Sequence, residues 1–353
     1  MKKLYVPVLA LLTLASCSKS ELANRPVVEN DMVEIMATSK ALTIETRAPF
    51  EGSIASDNTL TAVVLGSTTT ADYTTTYCYG EMTFTDDNTT AASFATPQYY
   101  PVNDDMVYLC ALYPTSATGW QNIGQTATYK FDGKTDVMAA KEESNNKTGA
   151  TGTTNPVVAP KVPSFTFKHL LTKLVVKVKA EDAAAQKVWG NITAISLIKA
   201  NNGDVFDTAE VTLATGAAAT GTAFSNAAAD GMAFYRIDAA TPAYTDNAVD
   251  ATDNKIELTT DAVEAAYSLV APIIAGNSTD HFTLKVSTDL DGTPTVKEVS
   301  LKLSTADETP VVFTGDTQGQ AFEITLTFKA TEIVATATVT DWVKGGNTEV
   351  PIQ

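Results

Sequence analysis

Leu170-Leu171-Thr172-Lys173-Leu174-Val175-Val176-Lys177-Val178-Lys179 settles into an alternation of apolar residues and lysines. A side-chain period of two places one set of residues on a buried face and the other toward solvent, which is the signature of a half-buried strand. The pattern recurs outward from this stretch. Phe282-Thr283-Leu284-Lys285-Val286 and Val299-Ser300-Leu301-Lys302-Leu303 repeat it on either side of a turn, and Phe322-Glu323-Ile324-Thr325-Leu326-Thr327-Phe328 repeats it again. Clusters of Gly, Asn, Asp and Pro punctuate these runs, as antiparallel strands require. Helical signals are thin. Ala183 to Trp189 and Asp261 to Tyr267 could each supply a turn or two, with Asp261 as a cap for the second. The reading is an all-β chain arranged as sandwiches.

Thr148 to Pro163 is rich in Gly, Thr, Asn and Pro and lacks alternation, so it reads as an exposed connector between two domains. Thr215 to Gly231, rich in Ala, Gly, Thr and Asn, reads as a long surface loop. The expected division is a signal over 1–16, a propeptide over 17–47, one sandwich over 48–163 and a second over 164–353.

The N-terminus sets the route. Lys2 and Lys3 precede an apolar run from Leu4 to Leu14, and Leu14-Ala15-Ser16-Cys17 follows. A basic head, a short apolar core and small residues before a cut describe a secretory signal. The run is too short to span a bilayer of about 30 Å as a helix. Leu-Ala-Ser-Cys is similar to the lipobox of bacterial lipoproteins, which implies acylation at Cys17 and a start of the mature chain there. Several acyl chains, at roughly 0.8 kcal/mol per buried CH₂, hold a soluble domain durably on a membrane.

Composition excludes several classes. There are 41 acidic residues against 24 basic ones, a formal net charge of −17. Nucleic acid needs a basic surface to replace phosphate counterions, so it is not a partner. Any membrane contact is expected through the lipid on Cys17 alone. After Cys17 only Cys78 and Cys110 remain, either paired or as two buried thiols; neither has zinc-type spacing. His169 and His281 stand at expected strand starts with no second ligand nearby and read as structural. No nucleophile elbow, His-Glu-x-x-His or phosphate loop is present, so no enzyme activity, cofactor or metal is expected. Ser287-x-Asp289-x-Asp291-Gly292 with Glu298 echoes a calcium loop, but Pro294 and Val296 interrupt it. Asp-Gly between two alternating runs reads as a hairpin.

Val33 to Pro49 carries the most telling constellation. Leu42 and Ile44 alternate with Thr43 and Glu45, and Val33 and Ile35 alternate upstream. Thr46-Arg47-Ala48 comes next. The chain has three arginines: Arg25 precedes Pro26, Arg236 lies in an expected strand, and Arg47 is the one suited to cleavage of a folded protein. A chance basic residue in a tether is the plain alternative.

Taken together, several segments resemble the fimbrillin family, the subunits of type V pili. They are lipobox Cys17, the Arg47-Ala48 junction, Tyr108-Leu109-Cys110-Ala111-Leu112-Tyr113-Pro114, Asp136-Val137-Met138-Ala139-Ala140, Phe165-Thr166-Phe167-Lys168-His169-Leu170-Leu171 and the ending from Ala335 to Trp342. The resemblance implies two transthyretin-like Greek-key β-sandwich domains in tandem. It also implies export as a lipoprotein to the outer membrane and removal of the N-terminal segment by an Arg-specific protease. The strand carrying Leu42 and Ile44 would then leave a groove for a strand of another pilin subunit. Ile333, Ala335, Ala337 and Val339 share one face of a candidate donor strand, with Val350 and Ile352 as further candidates. Head-to-tail insertion does not close, so it builds a fimbria. The competing expectation is a lipid-anchored adhesin or glycan-binding module that does not polymerise, with aromatics such as Trp120 as its contacts.

Overall fold

A computed structural model describes residues 28–29, 32–41, 59–85, 90–115, 119–154, 157–200, 203–219, 224–228, 230–238, 243–272, 282–301 and 317–341. Its regular structure is nearly all strand. A seven-stranded sheet runs in the order Cys78–Phe84, Leu60–Ser67, Val107–Tyr113, Met138–Asn145, Ser164–His169, Met36–Ala41 and Ala92–Ser93. Phe94, next to the last strand, bridges back to Met82 on the first, so the sheet curls until its edges meet. The enclosed core holds Leu60, Ala62, Val64, Met82, Phe84, Leu109, Ala111, Met138, Phe165 and Phe167. Phe84 meets Phe165 and Phe167 edge-on at 6.2 and 6.0 Å between ring centres, the offset that ring quadrupoles favour.

Leu60–Ser67 is buried along nearly its whole length, because its other face is covered as well. Val63, Leu65, Cys110, Leu112 and Ala139 pack there against Ala127, Tyr129, Ala209 and Val211. The covering sheet takes Trp120–Gln121 and Thr126–Lys130 from the first half of the chain. It takes Phe206–Thr212, Ala217–Ala218 and Phe224–Ala227 from the second half. Thr208 to Thr212 pair antiparallel with Lys130 to Thr126.

The second sandwich sets a six-stranded sheet against a smaller one. The former has the order Ala243–Ala248, Tyr235–Asp238, Val263–Val270, Thr172–Ala180, Gln320–Phe328 and Ile333–Asp341. The latter contains Met232–Ala233, Asn191–Ala200, Phe282–Leu290 and Thr293–Leu301. Leu174, Val176 and Val178 face inward with Phe322, Ile324 and Leu326, against Ile195, Leu197, Leu284 and Val286. The lysines of the opening stretch take the opposite face, but not as a simple solvated row. Lys177 bridges Glu323 at 2.7 Å and Glu264 at 3.7 Å. Lys173 is buried, with its ammonium 4.4 Å from the centre of the Tyr244 ring.

Four sequence expectations differ from the fold. The boundary at 163/164 does not separate sheets: Ser164–His169 is a strand of the first barrel, and Phe206–Thr212 crosses back to cover it. The apolar outer face of Leu60–Ser67 needs a cover longer than Thr126–Lys130 supplies. Residues 148–163 are not a free connector, since Ala150 is buried, and Asn145 donates to the Lys161 carbonyl at 2.9 Å. Asp261 to Tyr267 gives no helix, because Val263–Val270 pairs with strands on both sides; a helix so short would not form the bonds that a sheet provides. Thr215 to Gly231 contains two short strands that pair with Phe206–Thr212.

Other elements follow the pattern. Ala183–Trp189 is a helix, with the Asp182 carboxylate accepting from the Ala184 and Ala185 N–H groups. Phe282–Leu290 and Thr293–Leu301 form a hairpin closed by Asp291 and Gly292, with φ of 51° and 79°. Two successive positive φ values are what a two-residue turn between twisted strands demands.

Candidate functional site: the closing strand of the barrel

Six of the seven barrel strands come from residues 60–169, and one, Met36–Ala41, comes from far upstream. It lies parallel to Ser164–Phe167 and antiparallel to Ala92–Ser93. Backbone bonds extend both ladders: Thr38 N–H to Pro163 O at 2.8 Å, Ile35 N–H to Gln98 O at 2.7 Å, and Tyr100 N–H to Val33 O at 2.9 Å. Val33, Ile35, Ala37 and Ser39 alternate along this segment and are each 1% exposed or less. Fully burying a Val or Ile side chain contributes roughly 1.5–3 kcal/mol, so Val33 and Ile35 are the main anchors.

Two polar groups fit this seat poorly. Ser39 Oγ is buried without a hydrogen-bond partner among the described residues. A buried hydroxyl left unpaired costs about 1–3 kcal/mol. Glu34 is buried as well, and desolvation raises its carboxyl above the ordinary glutamate value, with a bond from the Ser93 side chain offsetting part of the rise.

The other sequence candidates fall in several places. Ile333, Ala335 and Ala337 lie on the edge strand Ile333–Asp341, partly buried against the chain's own main core. Val339 stands opposite Phe322 in the same ladder. Cys17, Leu42, Ile44, Arg47, Ala48, Val350, Ile352 and His281 lie outside the described residues. His169 ends its strand rather than starting one, and its Nδ1 stands 2.7 Å from Asp136 Oδ2 in a buried pair. Met138 and His169 are register partners, so two of the motif segments meet at this point. Cys78 and Cys110 are free thiols in different cores, on opposite faces of the barrel sheet. Arg236 donates through Nη1 to the Lys255 carbonyl from within a strand. Trp120 is not a free contact, because Nε1 donates to Pro114 O at 3.0 Å and the ring packs on Tyr129. Among the described residues no group of three or more His, Cys, Asp or Glu is placed to hold a metal ion. No described helix is long and apolar enough to cross a membrane.

The closing strand itself was only half legible. Val33 and Ile35 carry a visible alternation, but it continues into Ala37 and Ser39, whose small size hides it. A positional signal does exist, in the inward set Val33, Ile35, Ala37 and Ser39 at strict spacing of two.

The fimbrillin-like family model matches residues 46–342. No curated protein matches the chain at a significant level. Among solved structures, a candidate cell adhesion protein of Bacteroides uniformis is 20% identical, covering 88% of this chain and 98% of that one, with a TM-score of 0.47. A candidate cell adhesion protein of Bacteroides ovatus is 14% identical, covering 89% and 99%, with a TM-score of 0.49. The tip fimbrial protein Mfa3 of Porphyromonas gingivalis, truncated at its C-terminus, is 11% identical, covering 88% and 100%, with a TM-score of 0.42.

Proposed function

The chain belongs to the fimbrillin-like family, whose members are structural pilus proteins and not enzymes, and we propose that it is a fimbrial shaft subunit assembled by proteolysis and strand exchange. In this reading Cys17 carries the lipid that delivers the precursor to the outer membrane, and cleavage after Arg47 frees it. One observation carries the proposal. The strand that completes the barrel lies N-terminal to Arg47, and the other six lie C-terminal to it. A cut between Arg47 and Ala48 turns an intramolecular strand into a peptide held only by its own contacts. Intramolecular tethering supplies an effective concentration in the millimolar range or above, and the cut removes it.

Loss of the closing strand exposes the core around Phe165, Phe167 and Phe94, together with the unpaired edge of Ser164–His169. Such an edge is a template for another strand. The donor is the segment beyond Asp341 of a neighbouring subunit, carrying Val350 and Ile352. Ile333–Asp341 is less suited, because withdrawing it would uncover Gln320–Phe328 in the donor itself. The match of the family model from residue 46 supports a working subunit that starts near Ala48.

The test treats the purified precursor with an Arg-specific protease and follows it by N-terminal sequencing and denaturing gels. A new terminus at Ala48 with denaturant-resistant multimers is expected. Arg47→Ala should keep the precursor monomeric; normal assembly of that variant would overturn the trigger. Lipidated monomers that never polymerise would favour an anchored adhesin instead.

A further inference from the structure

The apolar side chains that the fold leaves in water are not scattered. Among the described residues ten large hydrophobic side chains are exposed, and six of them gather at one pole of the barrel: Met32, Tyr77, Val102, Met106, Val157 and Val158. Leu60–Ser67 ends at that pole, and Cys78–Phe84, Val107–Tyr113 and Ser164–His169 begin there. Hydrogen bonds lock its segments together. The Tyr77 hydroxyl donates to Tyr99 O at 2.9 Å, and the Tyr100 N–H donates to Val33 O, beside Met32. Thr148 donates to both carboxylate oxygens of Asp104, from its N–H and its hydroxyl, each at 2.7 Å. That ties the loop carrying Val102 and Met106 to the helix Lys147–Thr151, which leads into the hairpin Thr153–Thr154 and Val157–Val158. Lys161 N–H donates to Gly149 O at 2.9 Å and fixes the hairpin's return. Val102 and Val157 nonetheless stay 81% and 85% exposed. Resting on the reading of Cys17 as the lipidated residue, we propose that this pole is a membrane seat. In the precursor it lies on the lipid surface, with these side chains among the headgroups.

The tether identifies lipid as the occupant. The described chain begins at Val28, whose backbone pairs with Val33 at this pole. Eleven residues lead from Cys17 to Val28, a reach of at most about 40 Å when fully extended. The second sandwich is joined at the opposite pole, where His169 leads into Thr172–Ala180. The length of a barrel strand sets it about 20 Å further off. Acyl chains on Cys17 therefore hold this pole, rather than the second sandwich, beside the bilayer. Shape and chemistry agree. The six side chains project from four separate segments and not from one strand face, which suits a surface that deforms around them. Tyrosine is at home at a membrane–water interface, with its ring among apolar groups and its hydroxyl in water. Charge contributes little, because Asp104 and Asp105 offset Lys147 and Lys161 and leave no polybasic segment to attract anionic lipid. The contact is apolar and adds to the acyl chains, as a second signal does in stable anchoring. Composition led to the expectation of membrane contact through the lipid alone; the exposed pole extends that contact to the folded domain.

Site-specific fluorescence on vesicles tests the seat. The precursor carrying Val157→Cys is labelled with a polarity-sensitive dye and reconstituted on phosphatidylethanolamine–phosphatidylcholine vesicles. Val102→Cys repeats the measurement on a separate loop, and Val188→Cys, exposed on the helix of the second sandwich, is the reference. Cys78 and Cys110 are buried and take no label in the native protein. We expect a blue shift at positions 157 and 102 and strong quenching by lipids spin-labelled near the headgroup, with neither at position 188. Labels at 157 and 102 that stay as water-exposed as the one at 188, on protein that floats with the vesicles, would overturn the seat and leave the lipid on Cys17 standing. Equal quenching at all three positions would overturn it too. So would a blue shift without lipid quenching that grows with protein concentration, which would mark the pole as a contact between copies. Mass spectrometry of the same precursor checks the anchor. Absence of acyl mass on Cys17, together with failure to float, would remove the lipoprotein reading and this inference with it.

Discussion

Glu34 shows how one residue could set the hold of the closing strand. Burial raises its carboxyl above the ordinary value near 4.3. A carboxyl whose folded pKa lies above its unfolded one binds more protons in the seated state. Its stabilising share is therefore full below the unfolded pKa and is lost as pH rises through the folded pKa. Burial disfavours the ionised form in the seat, so a rise of pH through the folded pKa of Glu34 weakens the hold on the strand. After cleavage, release of the N-terminal peptide should be several-fold slower at about pH 4 than at about pH 7.5, measured by size exclusion. Glu34→Gln should be slow at both and lose this part of the pH dependence. Equal release from the two proteins at neutral pH would show that Glu34 is not the brake. The cysteines make a second residue-scale case. Burial pushes the Cys78 thiol up to about 12 and the Cys110 thiol up as well, so neither presents the thiolate that reacts. The cleaved subunit should take up no alkylating reagent when native and two equivalents in denaturant without reductant. Uptake of none in denaturant would instead indicate a bridge, against their placement in separate cores.

At the scale of the element, the proposed strand exchange gives Ile333–Asp341 and the tail beyond it different roles. The strand makes a nine-residue ladder with Gln320–Phe328 and sets Ile333, Ala335 and Ala337 on the main core. Truncation after Asp341 should leave the monomer's melting temperature within a degree or two while abolishing multimers. Truncation after Glu332 should lower the melting temperature sharply, because it exposes a long apolar edge. Thermal melts and gels on the two truncated proteins separate these roles. The same element shows what the sequence could and could not reveal. Strands with clean alternation, such as Phe322 to Phe328 and the hairpin around Asp291-Gly292, were legible because one face is buried and the other is not. Leu60–Ser67 obscures that signal by being buried on both faces. Val263–Val270 mimicked a helix because Ala265 and Ala266 are both buried and neither marks a face. The pairing of Thr126–Lys130 with Phe206–Thr212 spans some eighty residues, and no local pattern announces so distant a partner. For the site, the alternation at Val33 and Ile35 was visible, whereas the depth at which Ala37 and Ser39 sit required the closed barrel.

At the scale of the whole molecule, charge works against assembly. The full chain carries a formal net charge of −17. The proposed cleavage after Arg47 would remove six basic and five acidic residues, leaving a subunit of −18. In the proposed strand exchange, like-charged subunits approach end to end before a strand enters the groove, and their repulsion would slow the encounter rather than the insertion. Salt shortens the range of that repulsion, from about 30 Å at 0.01 M to about 8 Å at 0.15 M. Buried apolar contacts in the groove are little screened over that range. Multimer formation by the cleaved subunit should therefore speed up as salt rises from about 0.01 to 0.15 M, while the denaturant resistance of finished multimers stays constant. Time courses on denaturing gels at several salt concentrations give both quantities. Rates independent of salt would place the slow step after encounter, in departure of the closing strand. In that case Glu34→Gln, which strengthens the seat, should slow assembly by the same factor as it slows peptide release.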